Sequence, residues 1–599
     1  MRRFGLVVVI LVMALASISA HAATPWVAPT LTVIGGALDD LSFDDFIEES
    51  YRLYLLRSPE GVSSSGLAAE YGILNDALDN YSESFVEETF AIESLILDLL
   101  LPYDRNDLSE EQRITYDIAA FYWDDRVRMQ DVFDLEYPVH FMTTRSLHGY
   151  TEFTLTDAHP FSSEQDVIDY LARLNRLGIQ FDQIISQMER REALGIIAPR
   201  LVLEWATNGI WTLRTRATRS HPFYETLATK AAAIERLSPS QLQVYLDAAA
   251  TAIDQVVKPA YQRLYSAVTR QARMAPDAIS LNQFPGGGEA YEALLRYHTG
   301  TDLAASEIHA LGLREVTRLQ AEVRQAAGEL SMPESSTMSA IFARAESDGG
   351  MLYGEQAVAE ASALINQAAQ FILDSHAFTT LPEAAVIAVG VAQGGYYVGP
   401  ALDGSRPGTY YVTTSGSISR YDQPTIAYHE TIPGHHIQIA LAQEQELPLL
   451  RQSAGFTGFT EGWALYSERL MHELGAYDND PYGNLGRLQY ELLRAVRLVV
   501  DTGIHFMGWG FEEAVEYVMA NSGDARGTAE YRVLRYTVIP GQATAYMVGM
   551  LELLDLREIA RAALGDTFSL ADFHDIVLGT GNVPLVFVRQ LIDAWIAEQ

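Results

Sequence analysis

The chain has 599 residues, 48% of them hydrophobic, with 41 Lys and Arg against 78 Asp and Glu for a formal charge of −37. That length allows a large buried core in one domain or more, and the charge argues against nucleic acid and anionic lipid surfaces as partners. With no cysteine present, disulfides, thiol nucleophiles and thiolate ligands are excluded, so any metal must be held by His, Asp or Glu.

Residues 1–22, "MRRFGLVVVILVMALASISAHA", read as a secretory signal: Arg2 and Arg3, then apolar Phe4 to Ile18, then a small-x-small site at Ala20-His21-Ala22. The apolar run is short for a bilayer span, and no Cys follows it for lipid attachment. The expectation is an exported protein, periplasmic or secreted, with no stable membrane insertion once the signal is removed. From about 40 to 280 the pattern is mostly helical. "SSEQDVIDYLARLNRLGIQFDQIISQMERREALG" spaces its apolar residues by three and four. "SPSQLQVYLDAAATAIDQVVKPAYQRLYSAVTRQA" does the same, with Pro259 as a kink or break. A Gly-rich break at 283–288 divides two lobes or forms a single loop. Residues 384–416, "AAVIAVGVAQGGYYVGPALDGSRPGTYYVTTSG", are β-branched and aromatic between Gly and Pro, and predict two or three short strands. Helical patterns then run to the end. Residues 23–599 are therefore expected to be mainly α, with a small sheet just before the most chemically suggestive stretch.

That stretch is "YHETIPGHHIQ", 428–438. On an unbroken helix His429 and His435 would face nearly opposite sides about 9 Å apart along the axis, and His436 would lie about 10.5 Å away on the same face. Neither could share an ion with His429. Pro433 cannot donate to the carbonyl of His429 and clashes with it, so the helix must kink or restart; Gly434 permits unusual backbone angles. The turn can return His435 or His436 to the His429-Glu430 face, or the histidines can simply be structural.

Downstream, "GFTEGWALYSERLMHELG" (458–475) carries Glu461 and Glu468 on one helical face about 10.5 Å apart. Only one can bind the same metal directly, leaving the other to orient a histidine or hold the helix. Two His and one Glu with an open fourth position make a catalytic zinc site, with Glu430 placed to take a proton from water.

"HETIPGHHIQ", "FTEGWALYSERL", "RAVRLVVDTGIH" and "RYTVIPGQATAYMVG" resemble, in that order, the bacterial family called domain of unknown function 885, regarded as zinc-peptidase-like and mostly helical. More remotely the chain resembles the thimet oligopeptidase and angiotensin-converting-enzyme class, gluzincin-type helical metallopeptidases. The resemblance implies one Zn2+ per chain on His429, His435 and Glu461, with His436 as the alternative second histidine and Glu430 as general base. It also implies an edge strand at Tyr410 to Thr413, including Tyr411, that pairs with an extended substrate. Arg406 could meet a substrate carboxylate or be a structural loop charge. The late Tyr546, with Arg535, is the candidate oxyanion donor. Asp501 and His505, four apart, can hydrogen-bond on one helical face and are read with Glu468 as supporting residues; Asp501, Arg494 and Arg497 could equally form a structural ion network. The function expected is an exported zinc metallopeptidase acting on peptides. The alternatives are a zinc hydrolase of another amide or ester, and a non-catalytic peptide-binding envelope protein.

Overall fold

The apolar spacing after Ser163 becomes α1 (Glu164–Ala193), whose buried face runs Val167, Tyr170, Leu174, Leu177, Phe181, Ile184 and Met188. Its start is fixed by a capping box: Asp166 N donates to Ser163 Oγ and Ser163 N donates to Asp166 Oδ2, satisfying two N–H groups that the first turn leaves free. The Pro259 stretch splits as expected into α2 (Pro239–Ala252) and α3 (Lys258–Ala272). Between them Ile253–Val257 forms one π turn, which absorbs the hydrogen bond that Pro259 cannot make.

The computed structural model describes residues 26–142, 144–392 and 394–599, so the expected signal at 1–22 lies outside the described residues. The protein is mainly helical, and no described helix is long and apolar enough to cross a membrane. One buried apolar cluster extends from Ile34 to Ile592, running through both sides of the turn at 283–288.

Among the described residues five short strands interrupt the helices: β1 (Met351–Tyr353), β2 (Val386–Val391), β3 (Tyr396–Val398), β4 (Gly408–Thr413) and β5 (Ser417–Ser419). β1 and β5 pair antiparallel, and the other three form a sheet in the order β2-β4-β3. β4 is thus the middle strand. It pairs parallel with β2 from Gly408 to Thr413 and antiparallel with β3 from Thr409 to Tyr411. This corrects the expected edge at Tyr410 and Tyr411, where both backbone sides of β4 are engaged and an extended substrate has no ladder to join; β3 stops short of Val412 and Thr413, which pair with β2 alone.

After the sheet come α4 (Gln423–Glu430), α5 (His435–Glu444), α6 (Thr457–Glu473), α7 (Pro481–His505), α8 (Arg526–Val538) and α9 (Ala545–Leu564). α6 and α9 cross on glycine. A Cβ at Gly462 would lie 2.5 Å from Gly549 Cα, so any side chain there would push the two backbones apart. This close crossing fixes Glu461 on α6 relative to Tyr546 on α9.

Candidate metal centre

α4 ends at Glu430 because Pro433 can neither donate to the His429 carbonyl nor fit beside it. Thr431 N donates to Ala427 O at 2.8 Å, completing the last helical turn. Gly434 N then reaches back to Tyr428 O at 2.9 Å and His436 N to Thr431 O at 3.1 Å. The Ile432–Pro433 peptide is cis. A Cβ on Gly434 would fall against the carbonyl oxygens of both His429 and Tyr428, so only glycine fits this return. α6 clamps the turn from outside: Trp463 Nε1 and Ser467 Oγ donate to Pro433 O at 3.0 and 3.2 Å. α5 then restarts at His435, with its ring 4.8 Å from that of His429 and nearly perpendicular to it.

Nε2 of His429 and Nε2 of His435 lie 3.5 and 3.4 Å from Glu461 Oε2. One ligand atom from each of the three lies within 4.8 Å of the others. Charge-assisted hydrogen bonds run shorter, about 2.7–2.9 Å. Donors about 2.0–2.2 Å from a shared tetrahedral ion, however, sit about 3.3–3.5 Å apart. Glu461 Oε2 is also buried without a hydrogen-bond partner among the described residues. The three residues therefore fit a single small divalent cation.

The surroundings fix the tautomer of His429. Its Nδ1 is 2.8 Å from Glu468 Oε1, which also accepts from Arg494 Nη2 at 3.2 Å. Nδ1–H donates outward, so Nε2 is the nitrogen that would offer its lone pair to a bound cation, the arrangement that orients metal-binding imidazoles. Burial alone would depress the pKa of His429, but the adjacent Glu461 and Glu468 carboxylates raise it to about 10. Burial would raise Glu461; the two histidines hold it well below the usual carboxylate range. For Glu430 burial prevails and its pKa goes up, with His429 and His435 opposing.

His436, the alternative ligand, faces away. Its Nδ1 is 2.8 Å from Tyr397 Oη and its Nε2 3.0 Å from Ala384 O. Both nitrogens are engaged by the segment leading into β2 and by β3, so His435 alone joins the cluster.

The cluster opens on a cavity of about 440 Å³ lined by His429, Glu430, Tyr410, Tyr546 and three arginines, Arg494, Arg497 and Arg535. The Tyr546 ring lies parallel to that of His429 at 6.3 Å. Its hydroxyl accepts from Arg535 Nη2 at 3.0 Å and from Gln542 Nε2 at 3.4 Å. Burial would raise its pKa, but Arg535 and Arg497 outweigh burial and lower it. A left-handed turn at Gly541 (φ +82°) feeds this tyrosine into the site, and Asp501 holds the turn. Its Oδ1 accepts from Gly541 N at 2.9 Å and from Tyr291 Oη at 2.7 Å.

The sequence model described as "Bacterial protein of unknown function (DUF885)" matches residues 59–592. The chain belongs to that family. Among solved structures, a "putative lipoprotein" from Colwellia psychrerythraea is 28% identical with a TM-score of 0.85, over 93% of this chain and 100% of that one. A "putative lipoprotein of unknown function" from Shewanella oneidensis has 20% identity and a TM-score of 0.68, over 92% and 100%. A carboxypeptidase from Pyrococcus furiosus aligns at 10% identity and a TM-score of 0.34, over 94% and 100% less one hundredth of that chain's length, too distant to carry an argument. A comparison with curated proteins found no match.

In this family member the structure gathers His429, Glu430, His435, Glu461, Glu468, Arg535 and Tyr546 at one site, and places other expected residues elsewhere. Arg406 points away from the cavity, donating to the carbonyls of Gly399 and Ser64 at 2.9 and 3.2 Å; it ties the N-terminal helices to the sheet. Asp501 and His505 do not bond each other. His505 accepts from Leu281 N at Nδ1 and faces Tyr536 O with Nε2, both at 3.0 Å. Tyr411 stacks on Tyr396 instead of lining the cavity. Gln542 and Tyr490 are site residues that sequence reasoning missed. Gln542 lies four residues before Tyr546, the spacing that brings side chains together on a helical turn, and that was a usable signal. Tyr490 had none.

Proposed function

We propose that this chain is an exported, zinc-dependent peptidase. The observation that carries the reading is the convergence of His429, His435 and Glu461 at ion-sharing distances, with His429 and the neighbouring Glu430 on the wall of one cavity. Two imidazoles and one carboxylate, with no thiolate available, suit zinc and leave room for water. A zinc ion bound there would supply Lewis acidity, polarising a carbonyl and making water acidic. Glu430, buried and raised in pKa, accepts the proton of the attacking water and passes it to the departing amine. Tyr546 and Arg535 donate to the carbonyl oxygen as it gains charge. Glu468 holds the His429 imidazole in the tautomer that directs Nε2 inward. The signal-like residues 1–22 support export, as does the Colwellia neighbour described as a "putative lipoprotein".

The test is elemental analysis of the purified mature chain together with a peptide-library digest by wild type and Glu430→Gln. One equivalent of zinc and cleavage that Glu430→Gln abolishes are expected. Full metal loading with no cleavage by wild type would remove the peptidase reading and keep the metal centre.

A further inference from the structure

The cavity reverses the charge of the chain around it. Acids outnumber bases nearly two to one overall, yet Arg494, Arg497 and Arg535 all line this one space. Two of them are engaged. Arg494 donates to Glu468, and Arg535 donates to Tyr546 and Gln542. Arg497 is different. It is only 6% exposed, and among the described residues its Nε and Nη1 have no hydrogen-bond partner. Burial does most to disfavour its charge; Arg535 and Arg494 repel it, and the tyrosines Tyr536 and Tyr546 oppose them, with no carboxylate among these neighbours. Its guanidinium rests on the face of the Tyr546 ring, 4.6 Å from the centroid, which fixes its position. A buried guanidinium without an acid is costly; Nε and Nη1 are sealed inside, which leaves the Nη2 amino group, without a hydrogen bond among the described residues, as the charged donor that can meet a carboxylate in the cavity.

We infer that Arg497 receives the free carboxylate at the C-terminal end of the substrate, so that this chain cleaves close to a C terminus. The inference rests on the peptidase reading above and specifies its substrate class. The distances set the register. The guanidinium is 4.6 Å from the Tyr546 ring and that ring is 6.3 Å from His429, which bounds their separation to what about three extended residues, at about 3.3 Å each, can cover. The scissile carbonyl then lies at the His429–His435–Glu461 cluster while the terminal carboxylate lies on Arg497. Hydrolysis adds water across the C–N bond: the oxygen goes to the carbonyl carbon, the C–N bond breaks, and the amine leaves with a proton relayed by Glu430. No redox partner is involved.

The experiment uses zinc-loaded full-length mature protein and short acetylated peptides, each made as the free acid and as the C-terminal amide. Wild type is expected to cleave the acids on the order of 100-fold faster in kcat/KM than the amides, since a lost charge-assisted pair in a closed site is worth that much, and to release one to three residues. In Arg497→Gln and Arg497→Lys the acid-to-amide ratio should collapse for Gln and fall partly for Lys, mainly through KM. Equal turnover of acid and amide by wild type, or a ratio that survives Arg497→Gln, would overturn the inference while leaving the peptidase reading intact. Amidated peptides rescued by an Asp or Glu side chain would overturn the terminal assignment. If no peptide is cleaved, calorimetric binding of the same pairs to Glu430→Gln decides the matter. A preference for the acid that Arg497→Gln removes supports the carboxylate receptor and sinks only the peptidase reading; no preference overturns the receptor.

Discussion

Glu461 and Glu468 lie seven residues apart on α6 and both meet His429, one at Nε2 and the other at Nδ1. Their assigned parts, donor to the cation and support for the imidazole, predict different losses on conversion to glutamine. Glu468→Gln keeps the shape and one acceptor, but removes the charge that makes the imidazole a strong donor and leaves Arg494 short of its partner. Loss of such a supporting group typically weakens metal binding about 10–100-fold, or about 1.4–2.7 kcal/mol. Glu461→Gln removes an anionic donor outright. If an apparent zinc affinity of roughly 10–16 kcal/mol is shared among the ligands, this costs roughly 3 kcal/mol or more. Zinc titration against a chromophoric chelator measures both variants. A reversed order, or a Glu468→Gln variant that binds zinc as wild type does, would refute the assignment. Glu468→Ala adds a control on folding. It leaves the buried Arg494 without a carboxylate and should cost about 3–5 kcal/mol of stability by urea unfolding.

Gly434→Ala forces a methyl group against the carbonyls of Tyr428 and His429, so His435 should leave the cluster; zinc affinity should fall at least as far as in Glu461→Gln, while far-ultraviolet circular dichroism stays helical. Asp501 is fully buried and burial raises its pKa from 3.8 to about 7. Because its folded pKa lies above the unfolded one, stability is lost as pH rises from 3.8 through about 7. Asp501→Asn, which can keep both accepted hydrogen bonds, should therefore be more stable than wild type at pH 8, by a few kcal/mol at about 1.4 kcal/mol per pKa unit, in urea titrations. His429 has the same sign in chelator-treated protein. Its folded pKa of about 10 exceeds its ordinary 6.5, so its contribution is complete below pH 6.5 and disappears as pH rises through 10. Thermal melts from pH 6 to 10 should show this decline in the wild type and not in His429→Gln.

The amino-acid order by itself determined the helical texture, through apolar spacing in stretches such as the one that became α1. It also determined the break at Pro433, because a missing N–H and a ring clash act within four residues whatever surrounds them. The pair Glu461 and Glu468 was legible for a related reason, since spacing along one helix fixes which side chains share a face. Across the Pro-Gly break that logic ends. The direction of the restarted helix is set by Trp463 and Ser467 gripping Pro433 O, and this clamp from a distant helix turned His435 inward and gave His436 to Tyr397. The strand at Tyr410, an edge by the family resemblance, is the centre of a sheet, because edge or centre depends on which other segments pair with it. Only the tertiary structure showed Arg406 engaged with backbone carbonyls and Arg497 left without an acid. Whether a charge is paired is decided by what folds against it.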